Sequence, residues 1–373
     1  MVPSSRIKTD KASSPGAMTY EEVFQQPHLW PITMRIVEQS KPFKQRTDQP
    51  VIITGAGTSA YAAAAIAAAW PGAQAVATTD LLLEGRDEIE CRYPGFSSEG
   101  LLISLGRSGD SPESVAVVKR LERLCPKIEH LAITCNANGQ LARTSRIRSI
   151  VLDPRTNDRS LAMTSSFSNL VLAGLCLCFG SEIEGFLSQV CVDVESWLPE
   201  MAALAKRLAV GGIRRALILA SGALGPLATE TALKILEMTA GGTVTMAESF
   251  LGLRHGPMSF VTADTLVLCF LSSSADRRRY EQDLIGELRQ KRLGRIVGVI
   301  PRDADQDLFD ECILASTGHI RDGLRVPFEI PFAQLLAYYL SVQAGLDPDN
   351  PSPMGAITRV VQKFAIYDGE PQV

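Results

Sequence analysis

Residues 51–69 read VIITGAGTSAYAAAAIAAA, and this stretch decides the fold. Val51 to Thr54 are four consecutive β-branched residues, a run of the length and type that makes a buried strand. The run stops at Gly55-Ala56-Gly57, where glycine lets the backbone turn sharply and approach a ligand closely. Thr58 and Ser59 follow, and then Ala60 to Ala69, a segment of high helix propensity. Strand, glycine turn and helix form the opening unit of a parallel α/β sheet. A helix that starts at such a turn offers unsatisfied N–H groups and a positive dipole end to an anion. Gly57, Thr58 and Ser59 are therefore phosphate-binding candidates, although an ordinary capped turn reads the same way in isolation.

Working outward, the same grammar recurs. Apolar runs in the first half are Ala73 to Thr78, Leu101 to Leu105, Leu131 to Thr134 and Ser149 to Leu152. In the second half they are Ala216 to Ala220, Thr243 to Met246, Leu266 to Leu271, Ile296 to Ile300 and Val326 to Ile330. Ile53, Leu101 and Leu131 stand 165 positions before Ile218, Leu266 and Ile296. One shared offset predicts two tandem doubly wound, flavodoxin-like parallel-sheet domains related by internal duplication. The expected layout is a flexible tail and helical arm (1–48), a first domain (49–198), a second domain (199–345) and a C-terminal tail closing the site (346–373). Apolar spacing from Val23 to Val37 predicts one or two arm helices, broken at Pro27 and Pro31.

Composition narrows the function classes. At 46% hydrophobic and 21% charged residues the 373-residue chain can build a large core, and its net charge of −4 supplies no basic field for nucleic acid. The eight cysteines lack CxxC or metal-ligand spacing, which suits a reduced, cytoplasmic setting. No run approaches the roughly 18 consecutive apolar residues of a membrane span. GAGTSA lacks the third glycine of a dinucleotide fingerprint, so no cofactor and no metal are expected.

A second turn, Gly106-Arg107-Ser108-Gly109-Asp110-Ser111, follows the third strand and leads into a helix through Pro112-Glu113. In an open parallel sheet both turns face the rim where ligands collect. Two hydroxyl-bearing glycine turns on one rim predict a phosphate, with Ser108 and Ser111 donating and Arg107 neutralising. Thr164 and Ser165, before the apolar helix 167–179, form a third polar cluster that an N-cap would also explain.

In the second half Glu230, Lys234 and Glu237 stand at i, i+4 and i+7, on one helix face. Spacing alone favours a solvated surface stripe. However, the helix opens at Ala220-Ser221-Gly222, the counterpart of the first glycine turn, and a glutamate beside a lysine suits proton transfer between carbons with a cation steadying the enediol. His255, in Leu253-Arg254-His255-Gly256-Pro257, is held by a defined turn; His28, His130 and His319 have no such context. A structural histidine capping that turn is the plain alternative.

Together GAGTS (55–59), LGRSGDS (105–111), ETALKILE (230–237) and LRHGP (253–257) resemble the double sugar-isomerase (SIS) domain family, in particular the isomerase half of glutamine:fructose-6-phosphate amidotransferase. The resemblance covers the chain from about Val51 onward. It implies phosphate-binding roles for Thr58, Ser59, Ser108 and Ser111, with Arg107 replacing a glutamine, and a sugar contact from Thr164 or Ser165. It also implies that Glu237 shuttles a proton between C1 and C2, with Glu230 and Lys234 as its helix partners. His255 resembles a ring-opening histidine supplied by the neighbouring subunit, which implies a homodimer. Two departures stand out. No glutaminase domain with its N-terminal cysteine is seen, so amination from glutamine is not expected, and the tail NPSPMGAITRV (350–360) has Arg359 but no Schiff-base lysine. That tail and the two-domain layout resemble the galactosamine-6-phosphate deaminase/isomerase branch, also labelled tagatose-6-phosphate ketose/aldose isomerase. The expectation is a sugar-phosphate deaminase/isomerase acting on a 2-amino-hexose 6-phosphate or a related aldose or ketose 6-phosphate. An isomerase or fructosamine-phosphate deglycase on the same scaffold, or a non-catalytic sugar-phosphate sensor, remains open from sequence.

Overall fold

Every residue of Val51–Gly55 is buried, as a parallel strand covered on both faces requires. The computed structural model describes residues 15–40, 49–362 and 364–367. Of the expected flexible tail, residues 1–17, positions 1–14 lie outside the described residues, and Ala17 opens the first helix. Val51–Gly55 is β1 of a parallel sheet ordered β2-β1-β3-β4-β5, with β2 Ala73–Ala77, β3 Leu101–Gly106, β4 Glu129–Thr134 and β5 Arg148–Val151. A second parallel sheet repeats that order as β7-β6-β8-β9-β10, with β6 Arg215–Ala220, β7 Val244–Glu248, β8 Leu266–Phe270, β9 Arg295–Pro301 and β10 Glu311–Ala315. The duplication reaches the register: Val51 faces Leu101 in the first sheet, and their counterparts Ala216 and Leu266 face each other in the second.

One expected strand is corrected. Val326 to Ile330 begins a helix, and the fifth strand is Glu311–Ala315. Pro327 occupies the first helical turn, where its missing N–H costs nothing, while in a strand it would leave a gap in the ladder. The segment is buried on all sides, so periodicity cannot separate helix from strand. The true strand is a half-exposed edge containing Glu311 and Cys312, hence weakly apolar.

The helices are α1 (Ala17–Phe24), α2 (Gln26–Gln39), α3 (Thr58–Ala69), α4 (Thr78–Leu81), α5 (Arg86–Arg92), α6 (Phe96–Glu99), α7 (Pro112–Leu124), α8 (Gln140–Arg143), α9 (Ser165–Ala209), α10 (Gly225–Met238), α11 (Ala275–Gln290) and α12 (Val326–Gln343). In the arm the break falls at Gln25; Pro27 sits in the first turn of α2 and Pro31 is accommodated inside it. Thr33 Oγ1 donates to Asn169 Oδ1 at 2.6 Å and Trp30 Nε1 to Ser168 Oγ at 3.1 Å, fastening α2 to α9. α9 runs through Pro199 and kinks at Phe179, so the expected boundary near 199–212 lies at the end of a helix rather than in a linker. By length and composition α9 could cross a membrane. Here Phe167, Leu170, Val171 and Leu175 are fully buried in a core shared with α2, α3 and α12. That core also takes side chains from both sheets, and α10 packs directly on α3. This contact brings the second sheet's first helix to the rim of the first sheet.

Candidate functional site

A cavity of about 660 Å³ opens above the carboxyl ends of β1 and β3, the point where the strand order reverses and loops diverge. Ala56 to Ser59 line it on one side and Gly106 to Gly109 with Ser111 on another. Gly57 holds φ 56° and ψ −129°, a conformation that glycine tolerates, and α3 starts at the next residue. Gly55 is packed so tightly that an added Cβ would stand 2.5 Å from the Ser59 backbone. Ser111 is the N-cap of α7, with its hydroxyl not committed to capping. The second loop is braced from behind: Asn136 Nδ2 donates to Ser108 O at 2.9 Å, Leu141 N to Gly109 O at 3.0 Å and Gln140 N to Asp110 Oδ1 at 3.0 Å.

Lys234 and Glu237 enter the same cavity from α10. The solvated-stripe expectation is overturned for two members of the face: Glu230 and Lys234 are fully buried, and only Glu237 keeps partial exposure. The reason is tertiary, since α10 lays this face on α3. The Lys234 ammonium contacts Glu237 Oε2 and lies 3.5 Å from Glu230 Oε1. Burial pushes Glu230 up to about 8, against the opposing pull of Lys234. Burial also works against the Lys234 charge, but Glu230 and Glu237 outweigh it and hold the ammonium above its ordinary value. Burial thus favours the protonated form of Glu230, which stands behind the Lys234–Glu237 pair, and Glu237 faces the cavity.

The remaining wall is the C-terminal segment, with Gly355 to Gln362 and Phe364 lining the cavity. Two arginines fasten it. Arg359 Nε donates to Asp158 O at 2.8 Å and its Nη2 to Asn157 Oδ1 at 2.7 Å. Arg107, expected to neutralise a phosphate, lines the cavity but donates to the carbonyls of Ser160, Leu161 and Arg359. Its guanidinium joins the turn after β3 to the tail.

Three expected site residues are not brought together with these. Thr164 Oγ1 donates to Asp158 Oδ1 at 3.0 Å and Ser165 Oγ to Glu22 O at 2.6 Å; both are fully buried beneath the cavity floor, and Met163 lines the cavity in their place. Asp158 also accepts the backbone N–H groups of Thr164, Ser165 and Ser166, so this cluster caps α9. His255 is exposed on the 3-10 turn Gly252–His255, outside the cavity of its own chain.

Several lining residues were not anticipated as ligand contacts, Thr79 and Glu113 among them. Thr79 carries no motif. Glu113 read as a favourable acid in a first helical turn, yet it is buried and has no hydrogen-bond partner at Oε2. An acid two residues beyond a hydroxyl-rich turn was the available signal. Among the described residues no group of three or more His, Cys, Asp or Glu is arranged to hold a metal.

At the second sheet's matching turn the donors are taken up from within, while a cavity of about 570 Å³ opens beside it, lined by Ser273, Ser274, Arg302, Asp303 and Arg321. Ser272 N and Oγ donate to Glu281 at 2.9 and 2.6 Å, and Ser273 N donates to Asp322 Oδ1 at 2.7 Å. Carboxylates of the chain itself thus take donors of the kind that the first copy leaves open to the cavity.

No family model matches the chain. It is 37% identical over 385 residues to the D-galactosamine-6-phosphate deaminase AgaS of Shewanella sp. (strain ANA-3), covering 97% of this chain and 95% of that protein. It superposes on the crystal structure of tagatose-6-phosphate ketose/aldose isomerase from Escherichia coli with a TM-score of 0.81 and 32% identity, over 92% of this chain and 96% of that one. More distantly, it is 27% identical over 322 residues to the isomerizing glutamine–fructose-6-phosphate aminotransferase of Pseudomonas syringae pv. tomato, covering 81% of this chain and 50% of that protein. With paired phosphosugar-isomerase sheets and full-length similarity of this order, the chain belongs to the D-galactosamine-6-phosphate deaminase AgaS family.

Proposed function

We propose that this protein deaminates a 2-amino-hexose 6-phosphate, releasing ammonia and leaving the ketose 6-phosphate. The observation that carries the reading is the Lys234–Glu237 ion pair facing the same cavity as the two glycine turns. The phosphate would sit on the Gly57–Ser59 and Ser108–Ser111 loops, using hydroxyls and the N–H groups that open α3 and α7. In the open-chain substrate Glu237 removes the C2 proton, and the electron pair moves toward the C1 carbonyl to give an enaminol. Lys234 steadies the negative charge that develops. Return of the proton to C1 leaves an iminium at C2; water adds there and ammonia departs. One amino sugar phosphate and one water become one ketose phosphate and one ammonia.

His255 serves as the ring-opening group of a neighbouring subunit in this reading, and the active form is a homodimer. Support comes from its exposure away from its own cavity, and from the exposed apolar side chains Leu236, Met354, Ile357 and Phe364 beside the site. A cytoplasmic setting accords with eight unpaired cysteines. The decisive assay measures ammonia and ketose phosphate with galactosamine 6-phosphate and glucosamine 6-phosphate, for wild type and E237Q. Wild type releases ammonia from one of them, and E237Q loses about 100-fold or more in kcat. E237Q within about tenfold of wild type removes Glu237 from the chemistry. Interconversion of neutral aldose and ketose 6-phosphates without ammonia release makes the protein an isomerase instead.

A further inference from the structure

Glu113 has no task in the proton shuttle, yet its placement is costly. It occupies the first turn of α7, two residues beyond the N-cap Ser111, and lines the cavity. It is only 8% exposed, and its Oε2 is buried with no hydrogen-bond partner. Burying Oε2 costs desolvation that no hydrogen bond at that oxygen offsets, although the start of α7 favours an acid in its first turn. The compensating donor must come from the ligand.

Which donor follows from position. Under the sugar-phosphate reading, on which this inference rests, the phosphate is held by Ser108 to Ser111, so Glu113 stands at the phosphate end of the sugar. The Lys234–Glu237 pair belongs to a different helix and to C1 and C2. A phosphate dianion has no proton to give to a carboxylate. Of the sugar oxygens next to C6, the one on C5 is the ring oxygen of a pyranose and has no hydrogen; the C4 hydroxyl keeps its hydrogen in both the cyclic and the open-chain form. We propose that Glu113 accepts a hydrogen bond from the C4 hydroxyl and so reads the configuration that distinguishes galacto from gluco substrates. A site built around a buried polar group rejects a ligand that leaves that group unpaired, which makes such a residue a specificity determinant.

The test uses the full chain and ligands that bind without turnover. Calorimetry would measure galactitol 6-phosphate, glucitol 6-phosphate, the 4-deoxy alditol 6-phosphate and inorganic phosphate with wild type, E113Q and E113A. Wild type binds one epimer at least about tenfold more tightly than the other and than the 4-deoxy compound, the scale of a hydrogen bond to a charged group. E113A erases that preference while inorganic phosphate and the 4-deoxy compound stay within about threefold, and E113Q, which retains an uncharged acceptor, falls between. The thermal midpoint of E113A is equal to or above that of wild type, because a buried oxygen without a hydrogen-bond partner has been removed. Equal weakening of every ligand, inorganic phosphate included, or a lowered midpoint overturns the proposal and makes Glu113 a structural part of the loop. Wild type that binds 4-deoxy and parent compounds alike also overturns it, with the deaminase reading intact. Wild type that binds none of the alditol phosphates removes the sugar-phosphate reading itself.

Discussion

At the scale of single residues, the α10 face shows how environment sets chemistry. Glu230, Lys234 and Glu237 have the spacing of a surface stripe, but burial separates them into an acid held toward its protonated form, a locked cation and a cavity-facing carboxylate. A measurable consequence follows for stability. The folded state holds the Glu230 proton up to about 8, above its ordinary 4.5, so between those values the native chain binds more protons than the unfolded one, and stability falls as pH rises. Lys234 keeps its proton throughout this window in both states and adds no slope there. Glu22, pushed up to about 7 by burial and the nearby Asp158, contributes a similar slope of its own, so wild type must be compared with E230Q. The urea midpoint of wild type is expected to drop relative to that of E230Q between pH 5 and pH 8; parallel curves would show that Glu230 is ionised in the fold. The sequence disclosed the spacing of these residues and not their burial, because burial depends on a partner helix about 170 positions away.

At the scale of elements, the two glycine turns were legible because a strand, a glycine turn and a helix are contiguous in the chain. Their support was not. Gly139, in the loop after β4, approaches the second turn so closely that an added Cβ would stand 2.2 Å from Ser108 O. G139A is therefore expected to displace the Ser108 carbonyl and weaken binding of inorganic phosphate by about tenfold, a typical outcome when a loop must shift around a close contact. G185A is the control: an added Cβ meets nothing within 4 Å on α9, and the exchange leaves binding unchanged with equal or slightly higher stability. Equal phosphate affinity in G139A and wild type would show that the loop does not depend on this contact. The strand assigned to 326–330 failed for a related reason. A fully buried helix start has no period to read, whereas the real edge strand, Glu311–Ala315, carries a charge and half-exposed positions.

At the scale of the whole molecule, duplication has been followed by division of labour. The first copy leaves its turn donors open to a cavity, while the second commits the donors of the turn after β8 to Glu281 and Asp322 and sends α10 across to the first. If the active form is a two-fold dimer with His255 crossing the interface, each site combines Glu237 of one subunit with His255 of the other. Mixing inactive E237Q with inactive H255A after dissociation then restores one intact site per hybrid, or about a quarter of wild-type activity at equal amounts. No recovery in verified hybrids would place both residues in one chain's site or remove His255 from it.

The sequence by itself determined the α/β class, the two-fold repetition and the two glycine turns, since each is written in contiguous residues or in a constant offset between them. Only the tertiary structure decided that Glu230 and Lys234 are interior, that Thr164 and Ser165 serve the cap of α9, and that Arg107 joins loop to tail. It also decided that Glu113 is buried with Oε2 unpartnered beside the turn after β3. The physical reason is common to all of them. Desolvation and hydrogen-bond partnership are properties of segments distant in the chain that pack together, and local pattern does not record which segments those are.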